Sequence, residues 1–264
     1  MLRPRIIPCL LIKNRSLIKT IRFRKYQYIG DPVNTVKIFN ELEVDELMFL
    51  DIYSSSNNHE INYNLLQDVS SEAFMPLSYG GNIKSLDQAK KIFSLGYEKI
   101  VINSANYFNK NIISDISNYF GSQSVIASLD VKKGLLRANY KIFSHNGKKK
   151  QNIRLIEFLK YLEDQGAGEI LMTSIDRDGT WDGYDIDLLK MVSNSVNLPV
   201  IANGGASNIH SIYDALFNGN ASACAVGSMV VYQKKDNGVL INFPTPDVIE
   251  KLFKEYQEIK IDKI

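Results

Sequence analysis

The residues able to carry chemistry fall into four sets. Two glycine pairs, Gly80-Gly81 and Gly204-Gly205, each follow a short apolar run and precede an amphipathic one. Glycine at such a turn lets the backbone approach a ligand closely, and the free N–H groups opening a helix attract anions. Asn103-Ser104 and Gly227-Ser228 end two further apolar runs in the same way. The chain thus holds the parts of two phosphate sites, Gly81 with Asn103 and Ser104, and Gly204 and Gly205 with Gly227 and Ser228. One Gly-Gly pair is ordinary turn chemistry; two pairs at matched spacing favour binding.

Asp130 forms the second set. It sits near the end of the apolar run Ser124–Val131, where a carboxylate can act as general acid or base. An Asp that only caps the next loop is the plainer alternative. The third set is a basic stretch, Lys13, Arg15, Lys19, Arg22, Arg24 and Lys25, with no acid before Asp31. It reads as a solvated loop or as a lid over an anionic substrate, with Tyr26 and Tyr28 available for stacking. Asp178-Gly179-Thr180 makes another loop of the same kind. The fourth set is Arg5, Glu46, Lys99 and Glu169, each at or just before the start of an apolar run. Two cations and two anions at one end of a fold are either surface salt bridges or a closed ring. The residues alone leave both open.

Eight short runs must position these groups: Arg5–Ile12, Leu47–Ile52, Met75–Ser78, Lys99–Ile102, Ser124–Val131, Glu169–Ile175, Pro199–Ala202 and Ala223–Gly227. They are nearly continuous in apolar character, as parallel strands covered by helices are. Helical patterns lie between them over Val33–Leu42, Leu86–Leu95, Asn109–Tyr119, Ile153–Gln165, Ile186–Ser195 and Ile209–Asn218. Eight such βα units predict an α/β fold of (β/α)8 TIM-barrel type, one domain over 1–264. Its catalytic mouth is expected at the C-terminal ends of the strands. The Gly pairs repeat at an offset of 124 residues, from 80 to 204, and Asn103-Ser104 meets Gly227-Ser228 at the same offset, from 103 to 227. Ser128-Leu129-Asp130-Val131-Lys132 answers Cys9-Leu10-Leu11-Ile12-Lys13. The chain therefore reads as two half-barrels, about 1–122 and 123–264. Asp130 has Leu11 as its counterpart, so the first half lacks the carboxylate of the second.

Composition narrows the function classes. With 45% apolar and 23% charged residues among 264, the chain supports a large core and is not disordered. A net charge of +2 argues against a nucleic-acid-coating surface. Cys9 and Cys224 are too few for a disulfide framework and are expected buried and free. His59, His145 and His210 lack metal-ligand spacing. No apolar run reaches membrane-spanning length, and the N-terminal apolar segment, with Pro8 and Lys13, reads as a strand rather than a signal peptide. A cytoplasmic protein without cofactor or metal is expected.

The runs Arg5-Ile6-Ile7-Pro8-Cys9-Leu10, Gly30-Asp31-Pro32, Asp45-Glu46-Leu47, Phe49-Leu50-Asp51-Ile52 and Phe120-Gly121-Ser122-Gln123, and above all Gly166 through Thr180, closely resemble the cyclase subunit of imidazole glycerol phosphate synthase. The resemblance covers Met1 to about Val230. It implies a half-barrel repeat and a place in histidine biosynthesis. It also implies a glutaminase partner docked where the strands begin, whose ammonia crosses the barrel to a bis-phosphorylated ribulosyl intermediate. The family's gating charges fall on Arg5, Glu46, Lys99 and Glu169. Its phosphate sites fall on Gly81, Asn103 and Ser104, and on Gly179, Gly204, Gly205, Gly227 and Ser228. Lys19, Asp51 and Asp130 match active-site positions, and Cys9 lies beside them.

Departures carry equal weight. The family's strand-1 aspartate is Leu11 here, and leucine transfers no proton. Asn82 replaces the glycine after Gly80-Gly81 and is expected to crowd the first phosphate site. The segment Lys234–Pro246 resembles a paralogous branch found with surface-polysaccharide genes. In that branch a cyclase-like barrel and a glutaminase are thought to supply ammonia to a third protein, a sugar amidotransferase acting on an acetamido sugar. The expected function is an ammonia-handling, cyclase-like barrel serving amidino-sugar synthesis. The alternatives are a genuine cyclase and a non-catalytic scaffold for the glutaminase.

Overall fold

The computed structural model describes residues 4–53, 59–134, 139–235 and 238–261, with side chains up to 254. Eight parallel strands close on themselves: β1 (Arg5–Lys13), β4 (Leu47–Asp51), β5 (Leu77–Gly80), β6 (Lys99–Ile102), β7 (Val125–Lys133), β10 (Glu169–Ser174), β11 (Val200–Asn203) and β12 (Ala223–Val226). The β1–β12 pairing, Arg5 against Ala223, and the β7–β10 pairing, Asp130 against Thr173, complete the circle. This is the expected (β/α)8 barrel, and all eight expected runs are its strands.

Strand periodicity sorts each run into two faces. On β1, Ile6, Leu10 and Ile12 pack outward into the large core beneath the helices. Ile7 and Cys9 face inward and join Met48, Val101, Ile126, Leu171, Ile201, Ala223 and Ala225 in a second, separate apolar cluster. That inner cluster lines the barrel between its two ends. The helices match expectation to within a turn, for example Leu86–Ser94 and Ile209–Phe217. The helix Tyr63–Glu72 escaped the sequence pattern because its buried stripe is only Leu65, Leu66 and Val69.

The basic stretch after β1 is not an irregular loop. It folds as β2 (Ser16–Ile21) and β3 (Arg24–Gly30), an antiparallel hairpin continuing β1, with Leu11 opposite Ile18. Both of its turns have two consecutive residues at positive φ, Asn14-Arg15 and Arg22-Phe23, as tight hairpin turns of the primed kind require. A second hairpin, β8 (Tyr140–Ser144) and β9 (Lys149–Lys150), continues β7 in the same manner, with Asp130 opposite Phe143. Each half thus opens with a strand extended by a hairpin. Matching Leu11–Ile18 to Asp130–Phe143 makes Lys19 the counterpart of Ser144, and Thr20 that of His145.

After the last barrel strand, Tyr232 bridges Val239 and the chain turns into the helix Pro246–Ile261. This is the segment Lys234–Pro246, of which residues 236–237 lie outside the described part. No helix among the described residues is long and apolar enough to cross a membrane.

Candidate active site

At the strand starts, the four expected charges converge. Arg5 donates to Glu46 at 2.7 Å and to Glu169 at 2.5 Å. Lys99 approaches Glu169 at 2.7 Å and Glu46 at 3.5 Å. Signs alternate around a closed ring of four ion pairs, so these are not independent surface bridges. Burial drives the Glu169 carboxyl up, but the hydrogen bond from Arg5 and the charges of Arg5 and Lys99 prevail and hold it below the usual range. Burial likewise opposes the Arg5 charge, and its two carboxylate partners raise its pKa nonetheless.

At the opposite end the inward positions turn polar. A cavity of about 520 Å³ opens there, lined among others by Leu11, Lys19, Asp51, Gly81, Asn103, Ser104, Asp130 and Asp178. A smaller pocket beside it gathers Lys19, Gly179, Gly204, Gly205, Gly227 and Ser228. Gly81, Asn103 and Ser104 thus line the first recess, and Gly179, Gly204, Gly205, Gly227 and Ser228 the second, with Lys19 in both. Cys9 and Cys224 are buried free thiols, and burial drives the Cys9 thiol up to about 11. Cys9 contributes chiefly its carbonyl, which accepts from the Lys19 ammonium at 3.1 Å.

Asp130 is buried, and desolvation raises its pKa to about 7. Asn103 donates to it at 2.8 Å and Thr173 bonds it too, which limits the rise, while the nearby Asp178 adds to it. Asn203 in turn donates to the Thr173 hydroxyl at 3.0 Å. A carboxyl poised near neutrality is suited to both giving and taking a proton. Across the mouth, burial lowers the Lys19 pKa and raises that of Asp178, against their mutual attraction. Asp178 accepts from the Thr20 hydroxyl at 2.7 Å and from the Phe23 amide at 3.2 Å. Asp51 closes β4 and accepts from the Tyr53 amide at 2.9 Å.

Leu11 lines the cavity where its repeat counterpart, Asp130, also does. The repeat extends to the backbone: Asn103 has φ −120° and ψ −88°, and Gly227 φ −115° and ψ −89°. The helix argument for anion binding needs correction, however. The helices after Asn103 and Gly227 are single turns, Ser104–Tyr107 and Ser228–Val231, too short to sum peptide dipoles. Those beyond the Gly pairs are already capped, by Ser85 and by Asn208. What remains is close backbone approach, which the glycines secure. A side chain on Gly205 would strike the Gly183 carbonyl, and one on Gly81 would meet Asp51 at 2.7 Å. Asn82 adopts φ +52° without difficulty for an Asn and turns its amide to the His59 carbonyl at 2.7 Å.

Of the basic stretch, only Lys19 reaches the cavity, with its neighbours Thr20, Phe23 and Tyr26. Tyr28 is exposed and does not line it. Sequence reasoning passed over Thr173, Asn203, Ser128 and His145 as site residues. The first three are polar side chains at inward positions near strand ends, a signal readable only once the inward face is known. No group of three or more His, Cys, Asp or Glu able to hold a metal occurs among the described residues.

A closed parallel barrel with a charge ring at one end and paired recesses at the other defines a (β/α)8 protein of half-barrel-repeat type. The chain belongs to the histidine biosynthesis protein family, whose model matches residues 5–236, and within it to the HisF-like subunits. It is 46% identical over 244 residues to a Pseudomonas aeruginosa protein provisionally described as imidazole glycerol phosphate synthase subunit hisF2, covering 92% of this chain and 97% of that one. A Leptospira borgpetersenii protein with a similar provisional description is 45% identical over 253 residues, covering 96% and 100%. The Alkaliphilus metalliredigens protein named imidazole glycerol phosphate synthase subunit HisF is 36% identical over 234 residues, covering 89% and 92%. At the level of the family the chain is a cyclase-type synthase subunit.

Proposed function

We propose that the barrel receives ammonia from a glutaminase subunit at the strand-start face and conducts it to the opposite mouth. There the ammonia serves a phosphorylated or nucleotide-linked sugar, for acetamidino-sugar synthesis in surface polysaccharide rather than for histidine. One juxtaposition carries the reading: the charge ring Arg5, Glu46, Lys99 and Glu169 is complete, while Leu11 occupies the mouth position where the resemblance expects an aspartate. Between the two ends lies the apolar inner cluster, which penalises a charged ammonium and favours the neutral molecule. The two recesses, with Gly81, Asn103 and Ser104 in one and Gly179, Gly204, Gly205, Gly227 and Ser228 in the other, would hold the anionic ends of the acceptor. In this reading Asp130 moves protons and Lys19 and Asp51 shape the mouth. A third protein, a sugar amidotransferase, would complete the transfer.

Two assays test the proposal. Supplied with the ordinary cyclase substrate and saturating ammonium salt, the purified protein should turn over far more slowly than a cyclase; ordinary rates would overturn the reading. A glutaminase should copurify, and its activity should rise when this chain is added. The genuine-cyclase alternative draws support from one observation, the Asp130 carboxyl held near pH 7, which suits acid–base work with Asp51 as second group.

A further inference from the structure

The two hairpins do more than extend β1 and β7. Each leans across onto the recess of the other half. The first brings Lys19 beside Gly227 and Thr20 onto Asp178, both on second-half loops. The second brings the His145 amide to the Ser104 hydroxyl at 3.2 Å and the Asn146 amide to the Ile52 carbonyl at 2.7 Å, both in the first half. By the repeat, the Ser144-His145 pair is to the first-half recess what Lys19-Thr20 is to the second.

The hydrogen bonds hold the Nδ1 edge of this histidine against Ser144. Ser144 is buried, and its Oγ accepts from Gln151 Nε2 at 2.6 Å. Its one proton can be given to His145 Nδ1, 2.8 Å away. With Nδ1 accepting, a neutral ring carries its proton on Nε2. His145 lines the cavity together with Asn82, Lys84 and Ser104. Burial, and then the charges of Lys149 and Lys84, lower its pKa and keep it neutral at pH 7.

We infer that His145 is a specificity-determining residue of the first-half recess, a neutral Nε2–H donor locked by Gln151 and Ser144 that binds a phosphoryl oxygen of the substrate. The assignment rests on the proposed reading of that recess as an anion site. A fixed neutral donor adds direction to the diffuse charge of Lys84 and selects an acceptor oxygen at one place.

The test uses the full chain labelled with ¹⁵N, in which the imidazoles of His59, His145 and His210 are resolved and His145 is assigned from the His145→Gln spectrum. At pH 7 the His145 ring should show the neutral Nε2–H pattern, and Ser144→Ala should shift it toward a mixture of tautomers. Inorganic phosphate should perturb the Nε2 signal. His145→Ala should weaken phosphate binding about tenfold, the loss of one hydrogen bond, and His145→Gln should restore part of it. A charged ring, an Nδ1–H tautomer, or phosphate affinity unchanged in His145→Ala would overturn the inference. N-acetylglucosamine perturbing the ring where phosphate does not would overturn the phosphoryl assignment. The tautomer measurement needs neither ammonia nor glutaminase. Its failure is therefore distinct from failure of the conduit, which the copurification assay reads.

Discussion

Glu169→Gln should unsettle the whole charge ring. Glu169 accepts from Arg5 at 2.5 Å and Lys99 at 2.7 Å, and its side chain is 11% exposed. After the change two cations share one carboxylate, Glu46. Removing one partner of a buried pair costs ~3–5 kcal/mol. Arg5 and Lys99 keep 28% and 19% of their side-chain surface in water, so screening reduces this to about 2–4 kcal/mol. For a chain of this size that corresponds to a Tm lower by roughly 4–7 °C. The exposed Arg154–Glu157 pair provides the control, and Arg154→Ala should cost under about 0.5 kcal/mol. Acid tests the cause. The folded Glu169 carboxyl titrates below its unfolded value, so its contribution is complete above the unfolded pKa of about 4.3 and vanishes as pH falls through the folded one. Urea unfolding at pH 7 and near pH 3.5 should show the gap between wild type and variant wide, then narrowed. A variant within a degree of wild type at pH 7, or a gap indifferent to acid, would refute the reasoning.

Four further outcomes are expected. Asp130 holds its proton to about pH 7 when folded, against about 4 when unfolded, so the wild type loses stability as pH rises across that window. Asp130→Asn should therefore be the more stable form by about 1–3 kcal/mol at pH 8 and nearly equal at pH 4, read from urea midpoints. Leu11→Asp should raise ammonia-dependent cyclase turnover by roughly 10²-fold or more; an unchanged rate shows that position 11 is not the block. Gly205→Ala drives a methyl into the Gly183 carbonyl at φ +110° and should cost over about 2 kcal/mol. Gly227→Ala meets the ammonium end of the flexible Lys19 side chain rather than backbone, so thermal melts should change less than for Gly205→Ala while phosphate affinity falls.

The barrel strands were legible because each is an apolar run between turn signals. The four ring charges were legible as charges at run starts, but their closure into a ring was not, since separate surface bridges fit the same pattern and only the family resemblance favoured the ring. The hairpins were not. Residues 24–28 of β3 are all exposed, so no burial periodicity marks that strand. Arg15, Arg22 and Phe23 hold the positive φ that a reader expects of Asn or Gly. β9 is only Lys149–Lys150. His145 was passed over with them, since its importance lies in the turn that carries it to Ser104. Asp178 stood out only as part of a loop; its burial against Thr20 depends on a hairpin more than 150 residues away in the chain.

The crossing of the hairpins ties the halves into mutual dependence. Neither repeat unit owns a finished recess: Lys19 is lent to one, His145 to the other. A half-barrel expressed by itself, even one that folded and paired with a copy of itself, would rebuild two identical corners instead of the mixed pair. The fusion of two units into one polypeptide is thus what allows the two corners to diverge, one guarded by an ammonium and the other by an imidazole.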